Sequence, residues 1–112
     1  GADALSPRDR LSLETARSIR EDYLHQNAFH AVDTYTSMEK QYEMLKTVLH
    51  FQHQGLEAIE AGAETADIFK LAVREDIARA KYVPQAEIEK IGQIRDTIEQ
   101  QMKQLHSTAA SK

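Results

Sequence analysis

SMEKQYEMLKTVLHFQHQGLEAIEAG, residues 37–62, is the stretch that decides the fold. Ser37 opens it with a hydroxyl able to accept a backbone N–H at a helix start. Met38, Tyr42, Leu45, Leu49, Leu56 and Ile59 then recur at spacings of 4, 3, 4, 7 and 3 residues, the signature of one face of an α-helix. A flanking row of Met44, Val48, Phe51 and Ala58 widens this face. So wide an apolar face is expected to be buried against more than one neighbour. Gly55, inside the run, costs about 1 kcal/mol against alanine, and a close helix–helix approach is the natural compensation. Gly62 stands where a left-handed C-terminal cap would end the helix, which is expected over about residues 37–61.

Upstream, Ser6 and Pro7 read as a helix start, with Asp9 placed where the helix dipole favours a negative charge. Leu13, Ala16, Ile19 and Tyr23 follow at helical spacing, so a first helix is expected over about residues 7–25. Residues 25–36 break the pattern. Gln26, Asn27, Asp33, Thr34 and Thr36 are poor helix formers, mixed with Ala28, Phe29, Ala31, Val32 and Tyr35. The segment reads either as a connector tucked onto the core or as a binding loop, since functional residues concentrate on loops.

Downstream, Thr65 is expected to cap a short helical turn over Ala66–Lys70. A second short helix carries Val73, Ile77 and Ala80, and Pro84 interrupts it by pushing Val83 out of helical geometry. The last helix is expected over about residues 84–106, with Ile88, Ile91, Ile94 or Arg95, Ile98, Met102 and Leu105 on one stripe. The tail 107–112 has nothing to bury and is expected to fray. No useful strand-period segment occurs. The expected fold is all-α, a single helical bundle of three longer helices and two short ones filling residues 1–106.

Composition agrees. The 112 residues suit one domain with one modest core. Four glycines and two prolines are too few turn-formers for a sandwich or barrel. With no cysteine there is no disulfide framework, thiolate zinc site or cysteine nucleophile. Lys and Arg total 14 against 18 Asp and Glu, a formal charge of −4. With no dense basic cluster, that balance argues against a nucleic-acid partner. No run of about 18 apolar residues occurs, so no direct membrane insertion is expected. No basic segment leading into an apolar stretch opens the chain, so no secretory signal is expected.

Candidate chemistry is sparse. His50, His53 and Glu57 fall at i, i+3 and i+7 on the polar side of the second helix. Two imidazoles and a carboxylate are a partial zinc set, but no fourth ligand is identifiable, and no metal site is expected. Ser6, Ser37 and Thr65 sit at helix starts, where capping explains them. The pairs Glu21-Asp22 and Glu75-Asp76 are adjacent on helices and point apart. Neither a Gly-x-x-x-x-Gly-Lys-Ser/Thr loop nor a Gly-x-Gly-x-x-Gly turn is present. This chain alone therefore cannot wrap a triphosphate.

Three longer stretches carry a resemblance. They are the run Asp9–Tyr35 with Arg20-Glu21-Asp22-Tyr23-Leu24-His25-Gln26-Asn27-Ala28-Phe29 and Val32-Asp33-Thr34-Tyr35 inside it, Glu39-Lys40-Gln41-Tyr42 with Met44-Leu45-Lys46, and Val73–Arg79 with Lys81-Tyr82. In this order they resemble the C-terminal helical domain of the catalytic A subunit of V-type and A-type rotary ATPases, over about residues 3–105. The resemblance implies an ATP-driven, rotary, ion-translocating enzyme that uses ATP/ADP with Mg. The phosphate loop and the catalytic acidic residues of that enzyme lie upstream in relatives. It implies a B subunit partner in an alternating A3B3 hexamer, central-stalk partners, and a peripheral place on the cytoplasmic side of a membrane. The fragment alone is expected to be inactive and to hold no cofactor.

The resemblance also assigns residues. Phe29 best matches the aromatic that lines the adenine side of the nucleotide pocket, with Ala28 beside it and Tyr35 as another candidate; core packing is the alternative for Phe29. Asp3, Leu5, Ser6 and Asp9 match an acidic turn that, in the related F-type beta subunit, presses on the central stalk. Ala4, Pro7 and Arg8 replace its glutamates, which keeps the shape but removes strong acidic attraction. Thr36 stands where many A subunits carry cysteine, so no disulfide control acts there. The competing reading is a free-standing helical adaptor that offers the second helix's face to a partner helix.

Overall fold

The computed structural model describes residues 4–24 and 37–110. Among the described residues five α-helices carry the fold: α1 (Pro7–Ser18), α2 (Met38–Glu60), α3 (Thr65–Phe69), α4 (Val73–Arg79) and α5 (Glu89–Ala110). A π-helical turn over Ile19–Leu24 continues α1, and 3-10 turns over Ala80–Tyr82 and Gln85–Glu87 link α4 to α5. No strand occurs among the described residues, and the all-α expectation holds.

The caps form as their chemistry dictates. Ser6 Oγ accepts the Asp9 amide at 3.2 Å, and Ser37 Oγ accepts the Lys40 amide at 3.0 Å. Gly62 adopts φ +103°, a conformation that only glycine takes cheaply. Its N–H donates to the Ile59 carbonyl, and that of Ala63 to the Ala58 carbonyl, both at 2.9 Å. Those two bonds satisfy the last carbonyls of α2.

α2 is the spine. Glu43 meets Arg95 and His50 meets Glu99, so α2 and α5 run in the same direction. α3 and α4 make the return crossing between them. α1 lies antiparallel on α2, with Arg8 beside Glu60 and Leu11 over Gly55. The main core joins Leu11, Val48, Phe51, Ile68, Ile98 and Met102. A smaller cluster of Met44, Ala80 and Ile91 sits at the other end. The Gln101 side chain accepts the first amide of α4, at Val73, at 3.0 Å.

Five expectations are corrected. First, α2 buries the row that includes Lys40, Met44, Thr47, Val48, Phe51, Gly55 and Ala58, while Met38 is 80% exposed, Tyr42 62% and Leu49 47%. Second, α1 buries Leu11 and Thr15, leaving Leu13 exposed. Third, helix one changes to π-helical pitch at Ile19. Ile19 N–H bonds back within the α-helix, and Thr15 Oγ1 donates to the Leu11 carbonyl at 2.9 Å in the turn before, a bond that tends to bend helices. Fourth, Glu64 precedes α3 with no side-chain cap, so Thr65 is the helix's first residue instead of its cap. Fifth, Pro84 leads into the 3-10 turn, α5 begins at Glu89, and it runs to Ala110, beyond the expected end near residue 106.

Candidate functional site

The residues singled out by sequence form two groups along the chain. The first group is at the entry to α1. Ser6 is engaged in capping, Pro7 fixes the first helical φ, and Leu5 and Asp9 are exposed. Arg8 Nη1 lies 3.1 Å from Glu60 Oε1, so this turn is held at the C-terminal end of α2. Both partners of that pair are well exposed, and the bond is worth little on its own; it reports position more than strength. The structure brings Leu5, Ser6 and Asp9 together, whereas Asp3 lies outside the described residues. The charges here are mixed, Arg8 and Arg10 beside Asp9, as the loss of the acidic motif leads one to expect.

The second group, Ala28, Phe29 and Tyr35, lies outside the described residues, as does the irregular segment 25–36 around it. What is described are its two flanks. Upstream stands the π-helical turn Ile19–Leu24, a feature often found at functional sites. Downstream, Ser37 and Lys40 begin α2 against the turns that follow α4. Lys40 is buried, and its Nζ donates to the Lys81 carbonyl at 2.6 Å. Ser37 Oγ donates to Gln85 Oε1 at 2.5 Å. Sequence reading assigned Lys40 no structural role; nothing in a single helix pattern marks a lysine whose partner is 41 positions away.

Two ion-pair clusters, also unread from sequence, lock the helices. Arg95 Nη2 reaches Glu43 Oε1 at 2.7 Å, and its Nη1 donates to Thr47 Oγ1 at 3.1 Å and the Glu43 carbonyl at 3.2 Å. Lys46, hydrogen-bonded to the same carboxylate, and then Arg95 hold the Glu43 carboxyl below its usual range. Arg74 Nη2 meets Glu14 Oε1 at 2.6 Å, and its guanidinium lies 5.5 Å from the Phe69 ring centre. The hydrogen bond from Arg17 is the largest cause that lowers the Glu14 carboxyl, burial opposes it, and Arg74 adds to the lowering. Beside this pair a cavity of about 20 Å³ is lined by Leu11, Glu14, Thr15, Phe51 and Arg74 among others. That is room for about one water and no larger ligand.

Among the described residues, His50 and His53 do not converge on one site. His50 Nε2 approaches Glu99 Oε1 at 3.0 Å, out of line for a hydrogen bond. His53 Nε2 lies 3.7 Å from Glu57. Among the described residues no group of three or more His, Asp or Glu is placed to hold a metal ion, Mg included. No helix among them is long and apolar enough to cross a membrane.

Comparison with known proteins shows the family. Residues 1–69 match the family model described as the C-terminal domain of V and A type ATP synthase. The chain is 62% identical over 88 residues, 79% of its length, to the V-type ATP synthase alpha chain of Acetivibrio thermocellus, of which it covers 15%. To the corresponding chain of Thermoanaerobacter pseudethanolicus it is 55% identical over 105 residues, 94% of its length and 18% of that relative's. To the A subunit of the A-type ATP synthase of Methanopyrus kandleri it is 53% identical over 111 residues, 98% of its length and 19% of the relative's. The chain thus spans less than a fifth of the length of these curated relatives.

Proposed function

We propose, from the premise that this chain belongs to the C-terminal domain family of V and A type ATP synthases, that it is the lever of the catalytic A subunit. In the whole subunit, nucleotide occupancy swings the bundle as a rigid body against the nucleotide-binding part. Hinge closure of this kind is an established way of coupling a site to distant motion. Phe29, with Ala28 beside it and Tyr35 near in sequence, lines the adenine side of the nucleotide pocket. Asp3, Leu5, Ser6 and Asp9 form the tip that bears on the central stalk. Copies of the whole protein alternate with B subunits in an A3B3 hexamer, and the push on the stalk links ATP hydrolysis or synthesis to proton or sodium movement. The complex sits peripherally on the cytoplasmic side of its membrane. Phosphate-binding and Mg-binding groups belong to the upstream part, and this chain contributes position.

The observation that supports the reading is the length of α2 between Ser37, where segment 25–36 ends in sequence, and Glu60, beside Arg8. The tip turn is held beside Glu60, and segment 25–36 joins the helix at Ser37, before Met38. The 23 residues of α2 separate them, about 34 Å at helical rise. A rigid helix clasped by α1 and α5 carries a displacement at one end to the other without absorbing it in bending.

Phe29→Ala in the intact subunit is expected to raise KM for ATP about fivefold, matching a stacking contribution of about 1 kcal/mol, with kcat nearly unchanged. The 112-residue chain alone is expected to show no ATP turnover. Steady-state kinetics on the assembled complex and on the purified chain check both; turnover by the chain alone sinks the reading. The exposed row Met38, Tyr42 and Leu49 favours one alternative, an adaptor that docks a partner helix on α2. An adaptor needs no Gly-x-x-x-x-Gly-Lys-Thr loop upstream in its gene, and a lever does.

A further inference from the structure

Met38 is 80% exposed, Tyr42 62% and Leu49 47%. Leu45, partly buried, stands between them on the same helical face. None of the four belongs to either apolar cluster among the described residues. They form one stripe along the first half of α2, about 17 Å long at helical rise. Scattered apolar residues are ordinary on a surface, whereas a contiguous apolar stripe marks a place for a partner. The stripe is preformed. On the other side of the same turns, Lys40 Nζ donates to the Lys81 carbonyl at 2.6 Å, and Glu43 meets Arg95 at 2.7 Å. Lys46 Nζ stands 4.5 Å from the centre of the Tyr42 ring and gives the stripe a charged rim.

The small size of the stripe chooses its occupant. A standard interface between separate proteins takes about 20–30 residues from each side. Four side chains on one helix fall far short of that, so the stripe alone holds neither a second copy nor a free partner. A neighbour in the same polypeptide needs less, because the covalent link already supplies a high effective concentration. This chain spans 15–19% of the lengths of its relatives, and the family model it matches is a C-terminal domain. We infer that Met38, Tyr42, Leu45 and Leu49 are the seat on which the upstream part of the same subunit docks, through a surface that is apolar at its centre. The stripe lies away from Glu60, where Arg8 holds the tip turn, so this seat leaves the tip clear. The inference rests on the lever reading and adds where the lever is gripped.

The test is photo-crosslinking in the assembled complex, with p-benzoylphenylalanine placed at one position at a time in the full-length subunit and the adducts mapped by mass spectrometry. From position Tyr42 the adduct is expected within the same subunit, upstream of this domain. From Gln104, exposed but off the stripe, the upstream adduct is expected to be lost. Where the label at Tyr42 prevents folding, the exposed Leu49 position repeats the experiment. An adduct from the stripe to residues 25–36, to a second copy or to another subunit overturns the inference. So does the absence of any adduct, or an upstream adduct of equal yield from Gln104. Those outcomes leave the lever reading standing. That reading fails on a different observation: a gene with no Gly-x-x-x-x-Gly-Lys-Thr loop upstream removes the lever, and this inference with it.

Discussion

Leu11→Ala is expected to lower the unfolding free energy of the chain by about 3 kcal/mol, whereas Leu13→Ala, two positions on, costs less than about 0.5 kcal/mol. Urea denaturation followed by circular dichroism measures both. Leu11 is 0% exposed and Leu13 55%. The Leu11 methyls fill the notch over Gly55, and a Cβ added there would stand 2.9 Å from Leu11 Cδ2. That geometry sets a second expectation at the same contact. Gly55→Ala gains about 1 kcal/mol of helix propensity but overpacks the fully buried Leu11 side chain, at a cost of about 1–3 kcal/mol. The net is a loss of about 1 kcal/mol. In the Leu11→Ala background the notch is empty, and Gly55→Ala turns stabilising by about 1 kcal/mol. A double-mutant cycle reads this coupling directly; additive effects would mean that the two residues do not meet.

Arg95→Met carries the second large effect, about 2 kcal/mol. Arg95 joins α5 to α2 through the Glu43 carboxylate at 2.7 Å and the buried Thr47 hydroxyl at 3.1 Å. Methionine keeps the stem in the core seam but leaves the half-buried carboxylate with Lys46 as its remaining cation of the cluster. The effect depends on pH with a definite sign. Lys46 and Arg95 hold the Glu43 carboxyl below its ordinary value of 4.5. The stability drawn from it is therefore full above pH 4.5 and lost as pH falls through the lowered folded value. The gap between parent and Arg95→Met is expected to be constant from pH 7 down to about 5 and to narrow below about pH 4. A gap that widens on acidification contradicts the assignment.

Local chemistry made much of this fold legible. Ser6, Ser37 and Gly62 do what their side chains, or the lack of one, dictate at helix ends. The α5 stripe of Ile91, Ile98 and Met102 is buried as its period requires. The faces of α1 and α2 were not legible. α2 carries two apolar rows, and periodicity marks the helix without saying which row finds partners. The inward row holds Gly55 under Leu11 of α1 and Thr47 beside Arg95 of α5. Met38, Tyr42 and Leu49 are left outside. On α1, Leu11 wins over Leu13 because it faces that glycine notch. Arg95 was already visible as an interruption of the α5 stripe. Its partner lies 52 positions away, beyond the reach of any local pattern. For the site, the tip turn could be read as a capped helix start whose residues match an acidic motif. Segment 25–36 could be read only through resemblance, because its mixed residues obey no period.

The rigid-lever claim is tested most directly by distances measured in the assembled complex with and without nucleotide. The full 112-residue chain contains no cysteine, so spin labels can be placed at the exposed positions Ser12 and Gln104 with no competing thiol in this domain. A third label goes in the upstream nucleotide-binding part of the subunit. Double electron–electron resonance is expected to give one unchanged Ser12–Gln104 distance in every nucleotide state, while the distance from Ser12 to the upstream label shifts with occupancy. A Ser12–Gln104 distance that changes with nucleotide, or an upstream distance that does not, would contradict a bundle that swings as one piece.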